Sequence, residues 1–150
     1  MDTKQFVDKY LGQKVDADGF YGAQCVDLFR QFNKDVFGFP HTGGVEGAKD
    51  LWENYGKLPE EKKYYEQIRK EGTIPLEGDV VIFGRTNSNK YGHVAIVLYA
   101  TRKVLVVFEQ DGFKQDGAKV VTRSYDNVLG YLRRRYPCLE RFRITGLYVN

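Results

Sequence analysis

Two apolar runs, His93–Ala100 (HVAIVLYA) and Val104–Glu109 (VLVVFE), are separated by only three residues. Both are rich in β-branched and aromatic side chains, and so short a gap predicts an antiparallel hairpin. Further strands are expected at Asp79–Phe83, between Gly78 and Gly84, and at Lys119–Arg123, Leu129–Arg134 and Phe142–Val149. Before Pro75 the apolar spacing changes to that of a helix. Phe6, Val7, Tyr10 and Leu11 form one amphipathic patch, and Cys25, Leu28, Phe29, Phe32 and Val36 share one helical face. Gly38 and Pro40 end that helix. Val45–Tyr55 predicts a third helix, and the charged stretch Pro59–Lys70 reads as helix or solvated loop. Helices first and strands later predict an α+β fold, with N-terminal helices packed on a C-terminal antiparallel sheet.

A chain of 150 residues suits one domain, and a hydrophobic share of 42% supplies a core. No apolar run approaches the ~18 residues that a membrane span needs. The start, Met1–Phe6, lacks an apolar signal-peptide region, so synthesis in a cytoplasm is expected. Two cysteines, Cys25 and Cys138, do not make a disulfide scaffold and are read as thiols. The sequence pI of 8.8 fits an anionic partner, but positive residues are interspersed with 20 acids and no nucleic-acid motif is present. A monomer that binds no nucleic acid and inserts in no membrane is expected.

The chemistry-bearing residues are few. Folding the hairpin about Arg102 pairs residues whose numbers sum to about 204, which sets His93 opposite Asp111 with Glu109 two residues away on the same face. A carboxylate beside an imidazole fixes its tautomer and stabilises the imidazolium. An edge salt bridge is the plainer alternative. Cys25 stands where a Gly-rich loop, Asp18–Gln24, turns into a helix. Oriented amides at a helix N-terminus favour a thiolate, so Cys25 is a candidate nucleophile with His93 as its base; an inert buried thiol is the alternative. Gln24 is the adjacent donor for an oxyanion. Cys138 has no comparable setting and reads as structural.

Asp16, Asp18, Phe20, Gly22 and Asp27 fall at positions 1, 3, 5, 7 and 12 of a loop starting at Asp16. An EF-hand loop presents calcium ligands at those spacings, with carboxylates at 1, 3 and 12 and a carbonyl at 7. Here Gly19 and Tyr21 depart from the EF-hand pattern, and an ordinary Asp/Gly turn is the alternative. Zinc is disfavoured, because the two His and two Cys lack ligand spacing.

Four stretches, DADGFYGAQCVDLF (16–29), EGDVVIFG (77–84), YGHVAIVL (91–98) and VFEQDG (107–112), together resemble the CHAP family of cysteine- and histidine-dependent amidohydrolases/peptidases from phage endolysins and bacterial wall hydrolases. The resemblance covers residues 1–135, leaving 136–150 as a tail expected to pack on the same domain. It implies a papain-like fold and hydrolysis of a peptidoglycan amide through an acyl-enzyme. It also implies Cys25 as nucleophile, His93 as base and Glu109 as the acid that orients it. The family commonly has Asn two residues after that Glu, where this chain has Asp111. Members with such a loop look like calcium binders, which would assign Asp16, Asp18, Asp27 and the backbone oxygens of Phe20 and Gly22. The implied setting is synthesis in a host cytoplasm, then action on the wall once the membrane is permeabilised. Two alternatives remain: a non-catalytic wall-binding or virion-associated module of the same fold, or an NlpC/P60-type peptidase. The latter usually draws its third member from a second His, which here could only be His41.

Overall fold

The computed structural model describes residues 1–19, 22, 24–39 and 43–135. Phe20, His41, Cys138, the strand expected at Phe142–Val149 and the 136–150 tail lie outside them.

The chain begins with helix α1 (Thr3–Tyr10). Asp2 caps it by accepting the Gln5 amide at 2.8 Å, and the Gln5 side chain accepts the Asp2 amide at 2.9 Å. Phe6 is fully buried, with its ring 5.2 Å from Phe32 and 6.0 Å from Phe108. Leu11 falls just beyond the helix and is exposed, so the apolar patch is shorter than its spacing suggested. Helix α2 (Cys25–Phe32) buries Leu28, Phe29 and Phe32, the face read from the sequence. It continues as a wider π-helical turn, Asn33–Phe37, closed by Gly38 in the left-handed conformation (φ 70°).

The helix expected over Val45–Tyr55 is reduced to α3 (Asp50–Glu53) and a 3₁₀ turn at Tyr55–Lys57. A close approach of two loops prevents an earlier start. The Lys49 amide donates to the Tyr91 carbonyl at 3.0 Å, and a Cβ on Gly47 would lie 2.7 Å from that same oxygen. The charged stretch divides: Pro59–Tyr64 forms α4, with Pro at its first turn, and Tyr65–Arg69 forms strand β1.

The remaining strands are β2 (Val80–Phe83), β3 (His93–Ala100), β4 (Leu105–Glu109), β5 (Lys119–Arg123) and β6 (Val128–Arg134). They form one six-stranded antiparallel sheet in the order β1-β6-β2-β3-β4-β5. Val80, Ile82, Val94, Ile96, Phe108 and Leu132 pack with the helices. Val81, Phe83, Ala95, Val97, Leu105 and Tyr131 form a second apolar cluster on the other face. Burial of both faces explains why β2 is an unbroken apolar run rather than an alternating one. This is the α+β arrangement that the pattern predicted.

Candidate active site

The end of α2 that carries Cys25, the start of β3 and the end of β4 meet at one end of the sheet. Cys25 is the first residue of α2 and is partly exposed. Gln24, extended at φ −106°, precedes it. Asp27 closes the turn: its Oδ2 accepts the Gln24 amide at 3.0 Å, while its own amide donates to the Gln24 carbonyl at 3.0 Å. Both Cys25 and the Gln24 side chain line a cleft of about 520 Å³, with His93, Asp111 and Tyr91 across it.

His93 opens β3. The preceding Gly92 has φ 76°, and a Cβ there would lie 2.5 Å from the Phe83 carbonyl, so only glycine lets the chain turn into the strand here. The His93 ring packs 5.8 Å from Phe83. Its Nε2 lies 3.2 Å from Oε1 of Glu109, off the line of the N–H, so the contact is an ion pair rather than an aligned hydrogen bond. Nδ1 is then the nitrogen left for the Cys25 thiol. Burial pushes the imidazole toward its neutral form. The adjacent Cys25 thiol and the Glu109 carboxylate, through their polar contact and negative charge, outweigh that and raise the His93 pKa to about 9.

Glu109, not Asp111, meets the imidazole. The register sum of 204 holds at Ile96↔Phe108 and Val97↔Val107. Continued, it sets Glu109 level with Ala95, whose small side chain leaves room for a diagonal reach to His93. β4 ends at Glu109, and the chain then leaves the ladder. Asp111 turns into the loop, where Oδ1 accepts the amides of Phe113 at 2.8 Å and Lys114 at 3.2 Å. Its carboxylate therefore lines the cleft while holding the loop.

Two functional residues escaped the sequence reading. Gln110 is fully buried and bonds three backbone groups: it accepts from the Val15 amide and donates to the carbonyls of Val15 and Gln24, at 2.7–2.8 Å. Arg123 donates from Nε and Nη2 to both oxygens of Glu109. Burial alone would raise the Glu109 pKa; Arg123 and His93 together hold it down at about 2. Gln110 lies within the VFEQDG stretch, where only its acidic neighbours drew a role, and Arg123 had no sequence signal, since it pairs with Leu105, four residues from its partner acid.

Asp16, Asp18 and Asp27 also converge, with oxygens within 4.8 Å of one another. Asp16 Oδ1 accepts the Gly19 amide at 3.0 Å, and Gly22 turns the loop at φ 75°. Asp27 is 1% exposed and its Oδ1 lacks a hydrogen bond. Burial, with the charges of Asp18 and Asp16 beside it, pushes its pKa up to about 6. Arg30 Nη1 stands 3.2 Å from Asp18 and 3.5 Å from Asp27. An all-oxygen set whose buried Asp27 Oδ1 accepts no hydrogen bond and has only the Arg30 cation at 3.5 Å suits a hard divalent cation.

The chain is 30% identical, over 91% of its length and 31% of the relative's, to endolysin PlyTW of Staphylococcus phage Twort. It is 26% identical to the probable autolysin PH of Staphylococcus aureus, over 90% of its length and 30% of the relative's. It therefore spans about a third of the curated relatives it matches. The crystal structure of endolysin LysIME-EF1 superposes with a TM-score of 0.63 at 25% identity, covering 89% of this chain and 63% of that one. The family model of the CHAP domain matches residues 15–111, a span that holds the acidic loop, Cys25, His93, Glu109 and Asp111, and the chain accordingly belongs to the CHAP domain family.

Proposed function

We propose that this domain hydrolyses an amide bond of bacterial peptidoglycan through an acyl-enzyme on Cys25. The observation that carries the reading is the meeting of Cys25, at the start of α2, with His93 and a buried Glu109 behind it. His93 takes the thiol proton, and Sγ attacks the carbonyl carbon of the scissile amide. Negative charge then collects on the carbonyl oxygen, beside the Gln24 side chain and the amides at the start of α2. The imidazolium, held by Glu109, passes its proton to the leaving nitrogen as the C–N bond breaks. Water, deprotonated by His93, cleaves the thioester and restores the thiol.

The relatives support the substrate class: two are an endolysin and an autolysin. Amidase and endopeptidase chemistry use the same residues, so the scissile bond is read from products. We assign calcium to Asp16, Asp18 and Asp27, with the carbonyls of Phe20 and Gly22 completing the shell. Held there, calcium would supply fixed positive charge between the carboxylates of Asp16, Asp18 and Asp27, in the loop that leads into Cys25. The protein works as a monomer on the wall, reached from the host cytoplasm after the membrane is permeabilised. Among the described residues no helix is long and apolar enough to cross a membrane.

The test is digestion of purified cell walls, followed by turbidity and by mass spectrometry of the released muropeptides. Parent protein should clear the suspension and expose one kind of new amine terminus; Cys25→Ala should do neither. Clearance by Cys25→Ala would overturn the mechanism. Wall binding without cleavage by the parent would make the domain a binding module.

A further inference from the structure

Arg123 stands on β5, at the edge of the sheet and two strands from His93. Its side chain nevertheless reaches the interior end of the site. Nε and Nη2 donate to Oε1 and Oε2 of Glu109 at 2.5 and 2.7 Å. The same guanidinium lies over the Phe83 ring, 5.4 Å from its centroid, and Phe83 packs on the His93 ring. One cation therefore holds two neighbours of the imidazole, the carboxylate and the aromatic ring.

We propose that Arg123 is a positioning residue of this site, clamping both oxygens of Glu109 so that Oε1 stays against His93. The proposal rests on the Cys25–His93–Glu109 reading above. A carboxylate touched only by an off-line imidazole contact at 3.2 Å could rotate about its last bond. A two-pronged guanidinium fixes the carboxylate plane, and a lysine ammonium, acting as a point charge, does not. The clamp also keeps Glu109 ionised where burial opposes it. The charged groups that face this carboxylate are His93 from β3 and Arg123 and Lys119 from β5, while Cys25 on α2 and Asp111 act on Arg123.

A structural ion pair and a positioning clamp differ in what they move. Glu109 is only 2% exposed, so losing its cation costs stability in either role, and the two roles are told apart by readouts that stability alone does not move. The experiment measures kcat and KM on a defined muropeptide across pH, for the parent, Arg123→Gln and Arg123→Lys, with Cys25→Ala as control. Arg123→Gln should lower kcat at least about tenfold with KM within about twofold, as expected for a group acting on the chemical step. Its acid limb should rise by about one pH unit, because Glu109 ionises with less help. Arg123→Lys should bring the acid limb back toward the parent while kcat stays low. Folded variants with parental kcat and acid limb, or a change confined to KM or Tm, would overturn the proposal. So would failure of both variants to fold, which would make the pair a structural one. Activity in Cys25→Ala would remove the site reading and this proposal with it. An inactive Cys25→Ala beside parental Arg123 variants would remove this proposal alone.

Discussion

Gln110 ties the end of β4 to the start of α2: its Nε2 donates to the Gln24 carbonyl at 2.8 Å. The same amide group holds Val15 through both backbone atoms, at 2.8 and 2.7 Å. One side chain thus couples the acidic loop, the nucleophile helix and the strand that carries Glu109. Removing it leaves the Val15 and Gln24 backbone groups without these partners.

Gln110→Ala should therefore cost roughly 3 kcal/mol of stability, since each buried polar group left unpaired costs about 1–3 kcal/mol and some will find water. Urea denaturation measures it. A loss below about 1 kcal/mol would mean that the loop is held by other contacts.

Glu109 and Asp111 should separate cleanly by mutation. Glu109→Gln removes the charge that stabilises the imidazolium, and kcat should fall by about 10²-fold or more. Asp111→Asn keeps an oxygen that can accept the Phe113 and Lys114 amides, so kcat should stay within about threefold. Asp111→Ala breaks that turn and should lower Tm more than Asp111→Asn does. Steady-state kinetics on muropeptides rank the two acids, and the reverse order would give the orienting role to Asp111.

What could be read from the sequence follows the range of the forces involved. The α2 face and the β3–β4 hairpin are local, so periodicity and a three-residue gap revealed them. The sequence reading left the choice between Glu109 and Asp111 open because both share a strand face; the end of the ladder after Glu109 decides which one meets His93. β1 was hidden in a charged stretch because its partner, β6, lies more than sixty residues later. Val45–Tyr55 kept a helical pattern, yet the bond from Lys49 to Tyr91 overrode it. Arg123 was invisible for the same reason as β1: its side chain spans four residues of a strand pairing that no spacing rule encodes.

Calcium should raise Tm, since an ion that binds only the folded loop stabilises it by mass action. Asp27→Asn should abolish the rise. Arg30 stands between Asp18 and Asp27 and partly neutralises the carboxylates an ion would need. Arg30→Met should then bind calcium more tightly than the parent, by about tenfold for a favourable interaction of roughly 1.4 kcal/mol removed from the free state. Isothermal titration calorimetry measures both affinities. Equal affinities would show that Arg30 does not compete, and no heat from either protein would remove calcium from the site.

The pH dependence follows from two shifts of opposite sign. His93 titrates near 9 when folded against an ordinary 6.5, so its stabilisation is complete below pH 6.5 and is lost as pH rises through 9. Glu109 titrates near 2 against an ordinary 4.5, so its stabilisation is present above pH 4.5 and is lost as pH falls through 2. Both act in full between pH 4.5 and 6.5, and Tm should decline on the alkaline side as the imidazolium deprotonates. Cys25 contributes the largest upward influence on His93, ahead of Glu109. Cys25→Ala should therefore titrate its imidazole at lower pH than the parent, and its alkaline decline in Tm should begin earlier. NMR of the His93 ring, assigned by comparison with His41→Gln, follows the titration directly. An imidazole that titrates alike in parent and Cys25→Ala would mean that the thiol does not bond it, and the nucleophile–base pair would fall.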